Sequence, residues 1–270
     1  MILEHIIYYP IKSLRGIEVP EHNALSLGLK WDRRWMLIEE DGRFVSQRRD
    51  SMLACLQVSK SEEGWNVEHP EYGSTVVPYS LQQGQAQVVE VWGDRFEALH
   101  KASIADDFFS SFLGRRVRLV HHHMPQNRPV DERYTDTTEY VGFADGFPYL
   151  ILSTASIEFC QRLCPDEQVD WRRFRPNLVF SAAEPFVEDQ WSQIQIGSAV
   201  FELVKPCARC VMITVDPETG QGGSSLLKAL SPIRLQDKGI MVGQNAVIRE
   251  RTRLRVGDAV KVVGLRCGHE

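Results

Sequence analysis

The sequence predicts a mainly β (α+β) fold: an N-terminal β-barrel-like domain packed on a second β-barrel domain, with a few peripheral helices. Three observations carry that expectation. Short runs alternating apolar and polar residues recur through the first hundred positions, each bounded by turn residues. A polar stretch over 121–140, with two prolines and no apolar period, interrupts the chain. Beyond it strands resume without the regular strand–helix alternation of a Rossmann fold. The expected organisation is a first domain over 1–120, a linker over 121–140 and a second domain over 141–265.

Segments 56–60 and 65–68 alternate as paired strands do, with Glu62-Glu63-Gly64 as the hairpin loop. Segments 88–92 and 95–99 repeat the pattern around Gly93-Asp94. One helix follows. Ser103 can cap it, Asp106 completes an acidic capping box, and Gly114 can end it. Its Ile104, Phe108 and Phe112 fall at i, i+4 and i+8, which predicts a buried face. Segment 115–120 reads as a strand. After the linker, 149–152 predicts an apolar strand. A helix capped by Ser153 or Thr154 then turns Ile157, Cys160 and Leu163 inward before Pro165. Further strands are expected at 177–180, 199–204, 211–215 and 259–263.

Composition narrows the function. Hydrophobic residues at 43% and charged residues at 25% exclude disorder and fibrous repeats. Lys+Arg 31 against Asp+Glu 36 gives a net charge of −5, which argues against a general nucleic-acid partner and requires any anion site to be local. No apolar run reaches the ~18 residues of a membrane span, and Glu4 sits where a signal peptide would carry positive charge. The expected location is cytoplasmic, with no membrane partner. Six cysteines in 270 residues are too sparse for a disulfide scaffold, so free thiols are expected.

The strongest local signal is Lys205-Pro206-Cys207-Ala208-Arg209-Cys210-Val211. Lys205 and Arg209 would favour a thiolate, and a strand-to-strand loop fixed by Pro206 could present one thiol to a pocket. Two small core residues are the plainer alternative. A zinc site built from Cys207, Cys210, Cys267 and His269 is another. A thioredoxin-like dithiol suits the sequence poorly, because a β-branched run follows where that motif opens a helix. A second signal is cationic: Lys12 after the first strand, Arg33 and Arg34 before Trp35, and Arg172, Arg173 and Arg175 before Pro176-Asn177. Singly these are surface residues; together they suit a clamp on a phosphate-bearing ligand. His121-His122-His123 reads as exposed linker, since consecutive residues point in different directions. Cys160 and Cys164 read as helix packing.

Tyr9-Pro10-Ile11-Lys12-Ser13, Asp32-Arg33-Arg34-Trp35, Phe174-Arg175-Pro176-Asn177, Cys207-Ala208-Arg209-Cys210 and Val215-Asp216-Pro217-Glu218-Thr219-Gly220 occur in an order that resembles MOSC-domain proteins. The similarity runs from Met1 to about Val263, including Val242-Gly243-Gln244-Asn245 and Val256-Gly257-Asp258, and points to the amidoxime-reducing molybdenum enzymes and their bacterial counterparts. The resemblance implies an N-terminal MOSC β-barrel domain, a MOSC domain and a bound molybdenum cofactor (molybdopterin). It implies Cys210 as metal ligand and reactive residue, with Lys12, Ser13, Arg33, Arg175, Asn177 and Arg209 around the cofactor. A thiolate ligand agrees with the preference of soft metal sites. The activity implied is reduction of N-hydroxylated compounds (amidoximes, hydroxylamines, N-hydroxylated base analogues). A cofactor carrier or sulfur-transfer module is the alternative, and a zinc-stabilised structural protein a third. Only Cys267 follows the last expected strand, where some members of the family carry a four-cysteine iron–sulfur domain, so neither that domain nor the anchoring segment of others is expected here. Electrons are therefore expected from a separate ferredoxin-like or cytochrome-like protein.

Overall fold

The chain is mainly β in its structure, a computed structural model that describes residues 1–124, 126, 128–236 and 239–266. Cys267 and His269, two ligands of the zinc alternative, lie outside the described residues.

The largest sheet has nine strands. Its order is Val260–Leu265, Trp191–Ile196, Ala199–Arg209, Gly239–Glu250, Tyr149–Ser153, Leu178–Phe180, Leu3–Tyr8 and Ile17–Val19, with Leu235–Gln236 pairing beside Gly239–Glu250. Among the described residues its one parallel strand pair is Tyr149–Ser153 with Leu178–Phe180. A four-stranded sheet runs Trp35–Ile38, Arg118–His121, Asp94–His100, Gln85–Val91. Two three-stranded sheets complete the set, one from Gln57–Lys60, Gly64–His69 and Gly73–Pro78 and one from Thr252–Arg255, Glu21–Leu25 and Gly28–Leu29.

Two pairings interleave the two halves of the chain. Leu3–Tyr8 is hydrogen-bonded to Leu178–Phe180, and Thr252–Arg255 to Glu21–Leu25. One core follows, in which Leu3, Ile6, Trp35 and Trp65 from the first half meet Tyr149, Phe180 and Phe201 from the second. Its burial is the main stabilising term of the fold.

Among the described residues four helices accompany these sheets: α1 (Ile104–Leu113), α2 (Thr154–Leu163), α3 (Trp171–Phe174) and α4 (Leu226–Arg234). In α1 the Ser103–Asp106 capping box and the left-handed Gly114 are both present. Its buried face is Ala105, Phe108 and Phe109 with Phe112 at the margin, a better i, i+3, i+4, i+7 stripe than the expected one. Ile104 is corrected: it overhangs the first turn and is 80% exposed. The hairpin joining Gln85–Val91 to Asp94–His100 turns on Trp92-Gly93, where φ of 53° and 95° matches the twist of the strands.

Three further expectations are corrected. Segment 211–215 is no strand: Val211–Thr214 is one 3-10 turn. Strand propensity loses there to packing, because Ile213 enters a cluster with Phe174, Leu226, Leu230 and Val242. The cysteine pair is not a strand-to-strand loop either. Strand Ala199–Arg209 continues through Pro206 and Cys207, with register shifts against Gly239–Glu250 that bend it. His121-His122-His123 is not an exposed linker. His121 ends its strand and packs 4.8 Å from Trp35, and buried His122 lies between Arg34 and Phe143. No group of three metal-ligating side chains occurs there or elsewhere among the described residues.

Candidate functional site

Where the N-terminal loops meet the bent end of Ala199–Arg209, a cleft opens that is lined by Lys12, Ser13, Arg33, Arg175, Asn177, Arg209 and Cys210. These are the seven positions singled out in the sequence. Its walls also carry Arg48 and Arg173, so six basic side chains (Lys12, Arg33, Arg48, Arg173, Arg175, Arg209) face one carboxylate, Asp145. The enclosed part holds about 130 Å³, below the ~150 Å³ that takes up a benzene ring. Any larger occupant projects into solvent.

Lys12 closes one end. Its Nζ donates to the Phe143 carbonyl at 2.7 Å and to Asp145 Oδ1 at 2.5 Å. Burial pushes its pKa down to about 8, against the opposing pull of Asp145. Burial would raise the Asp145 carboxyl, but Lys12 overcomes it and holds Asp145 well below the usual carboxylate range. The loop bearing both acceptors is fixed by Arg128, which is buried. Arg128 donates to the carbonyls of Gly142, Ala144 and Asp145 and to Asp94.

Arg33 and Arg175 form the centre. Buried Asp32 accepts from the Tyr9 amide at 2.8 Å and from Arg33 Nη1 at 2.7 Å. Burial opposes the charge on Arg33, yet Asp32 more than offsets it and the pKa is raised. Arg33 Nη1 also donates to Asn177 Oδ1 at 3.1 Å. Asn177 in turn accepts from the Leu150 amide and donates to the Ile7 carbonyl. Its amide oxygen thus takes two protein donors and its nitrogen gives one bond, so it positions Arg33 while locking strand Leu3–Tyr8 to its neighbours. Both guanidiniums rest on the Tyr9 ring, Arg33 at 4.2 Å and Arg175 at 4.3 Å. Arg175 has no hydrogen-bonding or carboxylate partner for its side chain among the described residues. Burial lowers its pKa to about 10, and neighbouring Arg33 adds to that effect.

The thiol end is built differently. Half-buried Cys210 precedes the 3-10 turn in extended conformation, its carbonyl accepting from the Ile213 amide at 3.2 Å. Arg209 reaches back to donate to Cys207 Sγ at 3.1 Å and to the Phe174 carbonyl at 2.6 Å, leaving its buried Nε unpaired. The two cysteines therefore differ, since Cys207 already has a cationic partner.

Backbone strain concentrates here. Among the described residues six non-glycine positions have left-handed φ, and Ser13 (70°), Arg33 (45°), Trp92 (53°) and Arg175 (57°) line the cleft. Such conformations cost about 1–3 kcal/mol each and persist where the surroundings enforce them. Sequence reasoning missed Tyr9 as platform, Asp145 as counter-ion and Arg128 as loop anchor. None carries a local signal, because each acts across a pairing that only the fold creates.

The MOSC N-terminal beta barrel domain matches residues 1–116, and the MOSC domain matches residues 138–261. The chain belongs to the MOSC-domain proteins. It is 29% identical over 275 residues to mitochondrial amidoxime-reducing component 1 of Mus musculus, covering 95% of this chain and 80% of that protein. The Homo sapiens counterpart is 28% identical over 276 residues, with 95% and 81% covered. Molybdenum cofactor sulfurase of Danio rerio is 30% identical over 251 residues, which is 86% of this chain but 30% of that longer protein. No helix among the described residues of this MOSC protein is long and apolar enough to cross a membrane.

Proposed function

We propose that this MOSC protein is a molybdenum-cofactor-dependent reductase of N-hydroxylated compounds. The observation that carries the reading is the pairing, in one cleft, of a half-buried thiol at Cys210 with a guanidinium at Arg175 that no carboxylate among the described residues pairs. The residues fit the cofactor. A soft thiol suits its metal, and Lys12, Ser13, Arg33 and Arg175 suit its phosphate. Arg209, on the wall of the same cleft, keeps a buried Nε without a partner among the described residues. When bound, the cofactor supplies two-electron redox chemistry at the metal.

The chain's own residues then bind and orient. Cys210 would hold the metal at the mouth of the cleft, where substrate and an electron donor have access. Lys12, held by Asp145 at the surface, and Arg33, held by buried Asp32, would grip the phosphate with little reorganisation. Asp145 and Asp32 keep those cations from repelling one another before the anion arrives. In balance, an N-hydroxylated substrate, two electrons and two protons give the N–H compound and water. The electrons come from a separate redox protein, ferredoxin-like or cytochrome-like. The similarity to amidoxime-reducing components over nearly the full chain supports this reading.

The test is a pair of variants expressed in a host that makes the cofactor. Cys210→Ala is expected to lose bound molybdenum and benzamidoxime turnover, and Cys207→Ala to keep both. Equal molybdenum in wild type and Cys210→Ala would overturn the ligand assignment. The similarity to a molybdenum cofactor sulfurase favours a second reading, a cofactor carrier or sulfur-transfer module; molybdenum retained without turnover by any artificial donor would select it.

A further inference from the structure

Phe44, Ser46 and Trp92 belong both to the cleft and to an open groove of about 430 Å³ that adjoins it on the N-terminal domain. The remaining walls of the groove are Gly93, two arginines (Arg43 and Arg49) and two glutamates (Glu39 and Glu90), so its lining carries no net charge. Arg49 pairs with Glu39 and Arg43 with Asp41. Trp92 stands at the junction, and its position is an unusual one for an indole. It opens a two-residue turn with φ of 53°, a conformation that asparagine or glycine adopts at lower cost. Burial offsets that cost only in part, because Trp92 is 46% exposed. Three contacts nevertheless hold the ring. Its indole N–H donates to Asp145, the Phe44 ring meets it at 71° with centroids 4.8 Å apart, and the Arg48 guanidinium lies 3.9 Å from the ring centroid. Asp145 also fixes Lys12, so the indole is tied to the cation that closes the cleft.

A flat, half-open and firmly held aromatic surface is suited to stacking, and a ring that is already fixed loses little freedom on binding. The groove exceeds the ~150 Å³ that accommodates a benzene ring, which the enclosed part of the cleft does not. A molecule that puts its polar end into the cleft therefore leaves any ring over the groove, and the balanced lining favours a neutral one. We propose that Trp92 is a specificity-determining residue: the aromatic part of an N-hydroxylated substrate lies against its indole while the N–O group enters the cleft. The resulting preference for aryl over alkyl substrates rests on the reductase reading and extends it. Trp92 acts in binding alone, with no part in electron or proton transfer.

Benzamidoxime and acetamidoxime carry the same reacting group on a phenyl and on a methyl substituent. The cofactor-loaded protein is assayed on both, with reduced methyl viologen as donor. Wild type is expected to favour benzamidoxime in kcat/KM. Trp92→Asn, which gives the turn a residue it accepts readily, should cut that preference at least about tenfold, chiefly through a higher KM for benzamidoxime. Trp92→Leu, which keeps an apolar contact for Phe44, should do the same. Trp92→Phe should keep most of the preference, since a ring remains although the N–H to Asp145 is lost. Saturation-transfer NMR on the benzamidoxime ring protons supplies a readout that needs no turnover: the signal should be strong with wild type and Trp92→Phe and several-fold weaker with Trp92→Asn and Trp92→Leu. Wild type that reduces neither compound would count against the reductase reading, and the NMR comparison would then decide the role of Trp92 by itself. A preference unchanged in Trp92→Asn and Trp92→Leu, an equal loss in Trp92→Phe, or ring-proton signals undiminished by removing the indole would each overturn the proposal.

Discussion

The Arg33 guanidinium donates to the backbone carbonyl of Arg175 at 3.3 Å, across 142 residues of sequence. Two cations are thereby held side by side on one aromatic ring, and only one of them has a carboxylate of its own. The imbalance makes the cleft destabilising when empty of anions and receptive to them.

Arg175→Met therefore separates stability from binding. Without phosphate the variant should melt at the wild-type temperature or a few degrees above it, since an unpaired charge next to Arg33 is removed. Added phosphate should raise the melting temperature of wild type but not of the variant, corresponding to a loss in affinity of about tenfold, or ~1.4 kcal/mol. A variant melting several degrees below wild type in phosphate-free buffer would contradict this account.

Lys12 gives two opposite pH slopes. Its folded pKa is near 8 against 10.5 for the free side chain, so between those values the unfolded chain holds the proton that the folded chain has released. Stability of the anion-free protein should then rise with pH across that window. Phosphate affinity should fall across it, because the bound anion needs the ammonium form. Lys12→Met should flatten both profiles in denaturant titrations and in phosphate titrations.

Arg128 is a positioning residue for the same ammonium. Arg128→Leu strips donors from the carbonyls of Gly142, Ala144 and Asp145. A loss of about 2–4 kcal/mol in stability is expected from these buried acceptors. Arg128→Lys should not rescue it, since one ammonium cannot reproduce a planar fork. Chemical denaturation of the three proteins decides the matter.

His121 provides an acid-side expectation. Burial, assisted by Arg34 and His123, lowers its pKa to about 4 from 6.5. Between those values the unfolded chain binds more protons, so stability falls as the pH drops through that window, by up to about 3 kcal/mol. His121→Phe should lessen the slope of melting temperature against pH over this range.

Much of the cleft was readable because its parts are chemically conspicuous. Lys12, Arg33 and Arg175 stand beside strand ends in an acidic chain, and Cys207 and Cys210 form a close pair. The strand pattern was equally visible in segments such as 56–60 and 65–68, where alternation and turn residues agree. What escaped notice depends on distant partners. Asp145 matters because Lys12 lies 133 residues earlier in the chain, and Tyr9 because two arginines from separate loops land on it. Val211–Thr214 misled because β-branched residues favour strands, whereas Ile213 was needed in a core formed with α4. His121 and His122 misled for the converse reason, a polar run drawn inward by aromatic neighbours.

The stitching of Leu3–Tyr8 to Leu178–Phe180 bears on how the molecule is made. Leu3–Tyr8 finds Ile17–Val19 at once on one edge, but its other edge must wait for a partner roughly 170 residues behind it, about ten to thirty seconds at ordinary translation speeds. Until then that open edge is a template for the wrong neighbour. A nascent chain stalled before residue 178 is thus a natural client for chaperones, and halves produced separately would each lack an edge that the other supplies.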